Sequence, residues 1–168
     1  PSHKTWHAGV DSWNDIFADR NVINCGYGWD RLGNMMWRMM HEELDGFSAK
    51  HIFVMAGTND IYSRTEEAIA EGMVGLIEYI RVKQPTARIH IVHIYPRRKA
   101  IDRVDKVNAT VDELLKLSDL TNYDIVDVKS VLTKADGKLD ESLFRDGLHP
   151  NEEGYRRIAE VYRKYIQN

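Results

Sequence analysis

Asp146 and His149 stand three residues apart in the run Asp146-Gly147-Leu148-His149, directly ahead of Pro150 and Asn151-Glu152-Glu153-Gly154-Tyr155. A histidine that acts as general base needs a carboxylate to fix its tautomer and to stabilise the imidazolium that forms, and one short turn can supply both groups. Such a pair calls for a nucleophile elsewhere in the chain. An Asp-containing surface turn leading into a helix accounts for the same residues, so the pair alone does not decide. Two further polar segments follow apolar or β-rich runs. Asn24-Cys25-Gly26-Tyr27-Gly28-Trp29-Asp30 has glycines that permit a tight turn with backbone N–H groups aimed at an anion, although a plain connection fits it equally. Gly57-Thr58-Asn59-Asp60 follows five apolar residues, and a simple turn again explains it.

The elements that would position these residues alternate along the chain. Asn21 to Cys25, His51 to Ala56, Arg88 to Tyr95 and Tyr123 to Val128 are rich in Val, Ile, Phe or Tyr and are predicted strands. Helical spacing links Leu32, Met35, Met36 and Met39. It also links Ile69, Met73, Leu76, Ile77 and Ile80, then Val104, Val107, Val111, Leu114 and Leu115, and last Tyr155, Ile158, Ala159 and Tyr162. Ser63 with Glu66 is a candidate capping box, and Pro150 is placed to open the last helix. This order predicts an α/β fold, a parallel sheet covered by helices on both faces, with ligands at the carboxyl ends of the strands.

Composition narrows the function classes. With 168 residues, 43% of them hydrophobic, and no linker-like tract, the chain is expected to form one domain over residues 1–168. Its 23 basic and 26 acidic side chains are interspersed and give a net charge of −3, which argues against a nucleic-acid partner. The single Cys25 excludes an intrachain disulfide and a cysteine zinc cluster but does not choose a compartment. No apolar run approaches the roughly 20 residues of a membrane span. The chain begins Pro1-Ser2-His3-Lys4 with no signal peptide, and that start need not be the native one, so localisation stays open. His90 and His93 alternate on a predicted strand and read as packing or sheet-end residues rather than metal ligands. His3 and His7 read as substrate-contacting or surface residues, the Met35, Met36, Met39 and Met40 cluster as adaptable core, and Arg156, Arg157, Arg163 and Lys164 as a solvated face.

Taken in order, the polar blocks resemble those of the SGNH (GDSL-type) hydrolase family. The run from Asn24 to Asp30 looks like that family's second block, Gly57 to Asp60 like its third, and Asp146 to Pro150 like its fifth. The resemblance spans nearly the whole chain and is closest to the branch that holds the platelet-activating-factor acetylhydrolase α subunits and related bacterial acetylesterases. Trp13, Phe17, the Trp37-Arg38 pair and Pro96-Arg97 carry the similarity to that branch. It implies a flavodoxin-like three-layer α/β/α fold and a serine esterase that cleaves small acyl esters of carbohydrates or lipids without metal or cofactor. A homodimer is compatible with that branch.

The family's spacing, counted back from Asn24, arrives at Ser2 as the nucleophile of a triad with Asp146 and His149. Ser12 is the rival, but it lies closer to Asn24 and in a predicted helix. The resemblance assigns the oxyanion hole to the backbone N–H groups of Ser2 and Trp29 and to the Asn59 amide, with Tyr27, Gly28 and Trp29 lining a small acyl pocket. Trp29 stands where the family usually has glycine. The family's Gly-Asp lead into the serine is absent, Pro1 standing in the Asp position, and the first central strand has no counterpart in these residues. A sheet lacking that strand is expected to be unstable, paired with another chain, or completed by residues upstream. Two other classes stay open: an SGNH-like binding module without a working nucleophile, and a nucleotide binder using the Gly26-Gly28 turn. The second leaves Asn59, Asp146 and His149 unexplained.

Overall fold

A computed structural model describes residues 8–166, so Ser2, His3 and His7 lie outside the described residues. Backbone contacts group the chain into two compact units. One comprises Cys25–Ile94 and Asp102–Val126, and the other Pro1–Asn24, Tyr95–Ile101 and Asp127–Asn168.

The first unit carries the sheet. Strands β1 (His51–Val54), β2 (Arg88–Val92) and β3 (Tyr123–Val126) are parallel, in the order β1-β2-β3. Parallel neighbours need crossover connections, supplied by helices α3 (Glu66–Lys83) and α4 (Ile101–Leu117), while α2 (Leu32–Met40) precedes β1. Both crossovers step the same way across the sheet, so the right-handed rule puts α3 and α4 on one face. Accordingly Ile69 and Met73 of α3 and Val107 and Val111 of α4 line one small cavity with Ile91 of β2. Along α3, Ile69, Met73, Leu76, Ile77 and Ile80 are all buried, and each such side chain stabilises the fold by about 1.5–3 kcal/mol.

Helix α3 begins where Thr65 accepts the Ala68 N–H at 3.2 Å, not at the predicted Ser63. Ser63 belongs to the preceding turn, in which its N–H and that of Arg64 both donate to the Asp60 carbonyl. Thr65 has the extended backbone that an N-cap needs. At the other end, the Arg81 guanidinium donates to the carbonyls of Gln84, Pro85, Ala87, Thr121 and Asn122, closing the helix end and the approaches to β2 and β3.

Of the four predicted strands, Asn21 to Cys25 forms none, and Val22 and Ile23 are exposed. Strand-forming residues become a strand only against a neighbour, and none of the described strands pairs with this segment. The other three end earlier than predicted because polar side chains and turns take over from the ladder. The Ile94 N–H and carbonyl, for example, bond the Asn108 side chain of α4 at 3.0 and 3.1 Å.

A polar row crosses the sheet. Phe53 pairs with His90 and His90 with Asp124 in the strand register. The fully buried His90 places Nε2 2.9 Å from His51 Nδ1 and Nδ1 3.0 Å from Asp124, with the Phe53 ring stacked on it and Arg88 paired to Asp124. Burial lowers the His90 pKa below its ordinary value against the pull of Asp124, and Arg88 holds the Asp124 carboxyl below its own.

The second unit is built from α1 (Val10–Phe17), the short α5 (Lys129–Leu132), a 3-10 turn at Glu141–Leu143 and α6 (Glu152–Ile166). Helix α1 packs on α6, where Gly9 faces the Tyr155 ring and Arg163 pairs with Asp15. Tyr162 of α6 meets the Tyr95 hydroxyl at 2.8 Å. Pro150 does not open α6: Asn151 caps it, its Oδ1 accepting the Gly154 N–H at 3.0 Å. Among the described residues no helix is long and apolar enough to cross a membrane.

Candidate active site

In the second unit, the predicted base and its acid form one self-contained turn. Asp146 Oδ1 accepts the backbone N–H groups of Leu148 and His149 at 2.9 and 2.8 Å, and Oδ2 lies 2.7 Å from His149 Nδ1. Gly147, at φ +79°, supplies the left-handed step, and the Arg145 N–H closes the loop on the His149 carbonyl at 2.9 Å. Burial opposes ionisation of Asp146, but the hydrogen bonds from His149 and Leu148 outweigh it and bring its pKa to about 2. The carboxylate is therefore anionic at neutral pH and favours the tautomer with its proton on Nδ1, so that any proton transfer by this ring would fall to Nε2.

In the sheet unit, two of the polar blocks are joined to each other. The Asn59 amide donates to the Asp30 carbonyl at 2.7 Å, and the fully buried Asp60 accepts the Leu32 N–H of the first turn of α2 at 3.1 Å. Anions at helix N-termini are favoured by the exposed amides and the macrodipole there, and Arg64 stands 3.2 Å from the other Asp60 oxygen. Gly57, at φ +92°, is required on two counts, since a Cβ there would fall 2.8 Å from Ile69 Cγ2.

Arg38 organises the preceding turn. Its guanidinium grips Asp30 with two contacts of 2.9 and 2.6 Å, bonds Glu43 at 2.8 Å, and lies 4.3 Å from the centre of the Tyr27 ring. Fork geometry makes such pairs strong, and the ring adds a cation–π contact. Asp30 and Glu43 raise the pKa of this guanidinium further above its ordinary value. Trp29, the predicted oxyanion-hole residue, adopts φ +67°, a region ordinarily left to glycine, and its indole is 85% exposed.

The structure thus pairs Asp146 with His149 in one unit and links Asn59 to the Tyr27-to-Asp30 turn in the other. Ser2 lies outside the described residues, and the rival Ser12 sits within α1. His90 belongs to the polar row of the sheet, and His93 Nε2 meets Asp112 at 2.9 Å. Among the described residues no group of three or more His, Cys, Asp or Glu is placed to hold a metal. Reading the sequence alone missed what Arg38 and Asp60 do. Their only signals were a charged residue within an apolar helix face and an acid directly after a buried run.

Comparison with known proteins bears on both the fold and the chemistry. The model of the GDSL-like Lipase/Acylhydrolase family matches residues 3–157. Platelet-activating factor acetylhydrolase IB subunit alpha2 of Rattus norvegicus is 30% identical over 156 residues, which cover 92% of this chain and 68% of that protein. The structure of a GDSL-like lipase from Bacteroides thetaiotaomicron VPI-5482 superposes with a TM-score of 0.78 at 17% identity, covering 96% of this chain and 84% of that one. A member of the lipolytic protein G-D-S-L family from Veillonella parvula DSM 2008 gives a TM-score of 0.77 at 24% identity, covering 99% and 91%. These structural likenesses show the fold to be α/β, an open parallel sheet with helices, in agreement with the three-layer class read from the sequence.

Proposed function

Because this chain belongs to the GDSL-like lipase/acylhydrolase family and is a carboxylic ester hydrolase, we propose that it cleaves small acyl esters through a serine acyl-enzyme. The observation that carries the reading is the Asp146–His149 turn, in which an ionised carboxylate orients an imidazole for general-base work. Ser2 is the proposed nucleophile. His149 takes the Ser2 hydroxyl proton as the oxygen attacks the ester carbonyl, then returns it to the departing alcohol. Water, deprotonated by His149, next attacks the acyl-enzyme, and collapse of the second tetrahedral intermediate releases the acid and restores Ser2.

The oxyanion formed in each half-reaction is assigned to the Ser2 and Trp29 backbone N–H groups and to the Asn59 amide. An asparagine amide carries two N–H groups, and the bond to Asp30 takes one, which leaves the other to donate to substrate. Tyr27, Gly28 and Trp29 are the proposed lining of a small acyl pocket. Acetyl is the proposed acyl group, supported by the acetylhydrolase relative, with a carbohydrate or a short-chain lipid as the alcohol portion. No metal or cofactor is needed for this chemistry.

The test is an aryl acetate assay combined with fluorophosphonate labelling. His149→Ala should abolish turnover, and the covalent adduct should map to Ser2 by mass spectrometry. Undiminished activity in His149→Ala, or an adduct on Ser12, would overturn the assignment. A series of aryl esters with lengthening acyl chains should show kcat/KM falling beyond acetyl.

A further inference from the structure

Gly147 is surrounded in a way that its backbone angle alone does not explain. A Cβ at this position would lie 2.7 Å from Arg98 Nε, 2.8 Å from Arg98 Cβ and 2.9 Å from Arg98 Cζ, so the Arg98 side chain lies directly against the Gly147 α-carbon. The Arg98 backbone N–H also donates to the Gly147 carbonyl at 2.8 Å. One residue therefore holds the central peptide of the Asp146-to-His149 turn by both its main chain and its side chain.

The side chain is itself anchored. Arg98 Nε lies 2.6 and 2.8 Å from the two carboxylate oxygens of Glu141, and a terminal guanidinium nitrogen pairs with the same carboxylate. Glu141 opens the 3-10 turn, whose start is capped by the Asp140 side chain on the Ser142 N–H, and the Ser142 carbonyl accepts from the Asn151 amide at 2.7 Å. Asn151 in turn caps α6, so the anchor reaches the helix that follows His149. The bond to Glu141 is the main cause raising the Arg98 pKa, and the charge of Asp146 adds to it, which puts the guanidinium within the field of that carboxylate.

We propose that Arg98, held by Glu141, is a positioning residue for His149: it braces the turn that presents the imidazole. This rests on the reading of His149 as the general base. A brace of this kind acts on the orientation of the base and not on substrate affinity, so it affects kcat and leaves KM alone.

The experiment compares Arg98→Ala, Arg98→Lys and Glu141→Gln with the parent in aryl acetate hydrolysis across pH, together with the proton NMR resonance of His149 Nδ1–H. Arg98→Ala should lower kcat by about ten- to a hundredfold at constant KM, and broaden or shift the Nδ1–H resonance. Arg98→Lys, which cannot grip Glu141 with a fork, should leave kcat low, and Glu141→Gln should lower kcat in the same way. Parental kcat and an unmoved resonance in folded Arg98→Ala would overturn the proposal, as would equal losses in kcat and KM that track a fall in melting temperature. The resonance keeps the two ideas apart. If His149→Ala still turns over substrate, the reading of His149 as base fails, whereas an unmoved resonance in Arg98→Ala defeats the brace alone.

Discussion

The Asn59 amide donates to the Asp30 main-chain carbonyl across 2.7 Å, so the plane of the amide is set by a turn 29 residues earlier in the chain. Replacing Asn59 by Ala should reduce kcat on an aryl acetate by roughly 10²–10³-fold with a much smaller change in KM, the signature of a donor that acts in the transition state. Loss of the Asp30 bond should lower stability by only about 1 kcal/mol, measured by urea unfolding. A rate within twofold of the parent would reduce Asn59 to a turn residue.

Arg38→Met tests whether one guanidinium organises that turn. Side chains of Asp30 and Glu43 are largely shielded from solvent, and truncating their shared partner strands two carboxylates. A loss of roughly 3 kcal/mol in unfolding free energy is expected, as for breaking a buried ion pair. Arg38→Lys should recover only part of it, because an ammonium cannot grip Asp30 with a fork. Equal stability of Arg38→Lys and the parent would refute the argument.

Trp29→Gly should stabilise the protein. A side chain at φ +67° costs about 1–2 kcal/mol, the indole is exposed and adds little packing, and the greater unfolded-state freedom of glycine takes back part of the gain. The expected net effect is a rise of about 1 kcal/mol by urea unfolding. If the substitution also weakens KM for aryl acetates, the indole contacts the acyl group; a loss of stability would show that the backbone there is not strained.

The polar row His51–His90–Asp124 makes the fold acid-sensitive. His90 is held below its ordinary pKa, so the unfolded chain takes up protons before the folded chain does as pH falls through the histidine range. The stability that depends on neutral His90 is thus present above about pH 6.5 and lost below it. Asp124, also lowered, adds a second loss in the same direction once the pH falls through the carboxylate range. The urea midpoint should fall between about pH 8 and about pH 5, and His90→Gln should flatten that decline. An identical slope in His90→Gln would place the sensitivity elsewhere.

How much of this was legible depended on the range of the interaction involved. The runs beginning at His51, Arg88 and Tyr123 read correctly as strands because each is a short stretch rich in β-branched and aromatic residues, even with His51, His90 and Asp124 among them. Asn21 to Cys25 has the same composition, but being a strand requires a neighbour, and the segment does not carry that information within itself. Asp146 and His149 were visible because the bonds that join them to each other lie within three residues. Asn59 by itself read as a polar turn residue and gained an oxyanion-hole role only through the family resemblance, Asp60 gave no hint that it holds the Leu32 amide, and nothing near Arg98 announced Glu141 or Gly147. Each of those contacts joins positions far apart in sequence, where periodicity and propensity do not reach.

The Asp146 carboxylate has one further consequence. It takes two main-chain amides on one oxygen and the imidazole on the other, so fixed dipoles already face this half-exposed carboxylate before any ester arrives. In the proposed mechanism His149 gains a proton beside dipoles that are already oriented toward Asp146, which lowers the part of the reorganisation energy that this turn contributes to the barrier. The bonds that join Asp146 to His149 close within a tetrapeptide and can form with the local chain, whereas the placement of that tetrapeptide waits for Arg98 to reach Gly147.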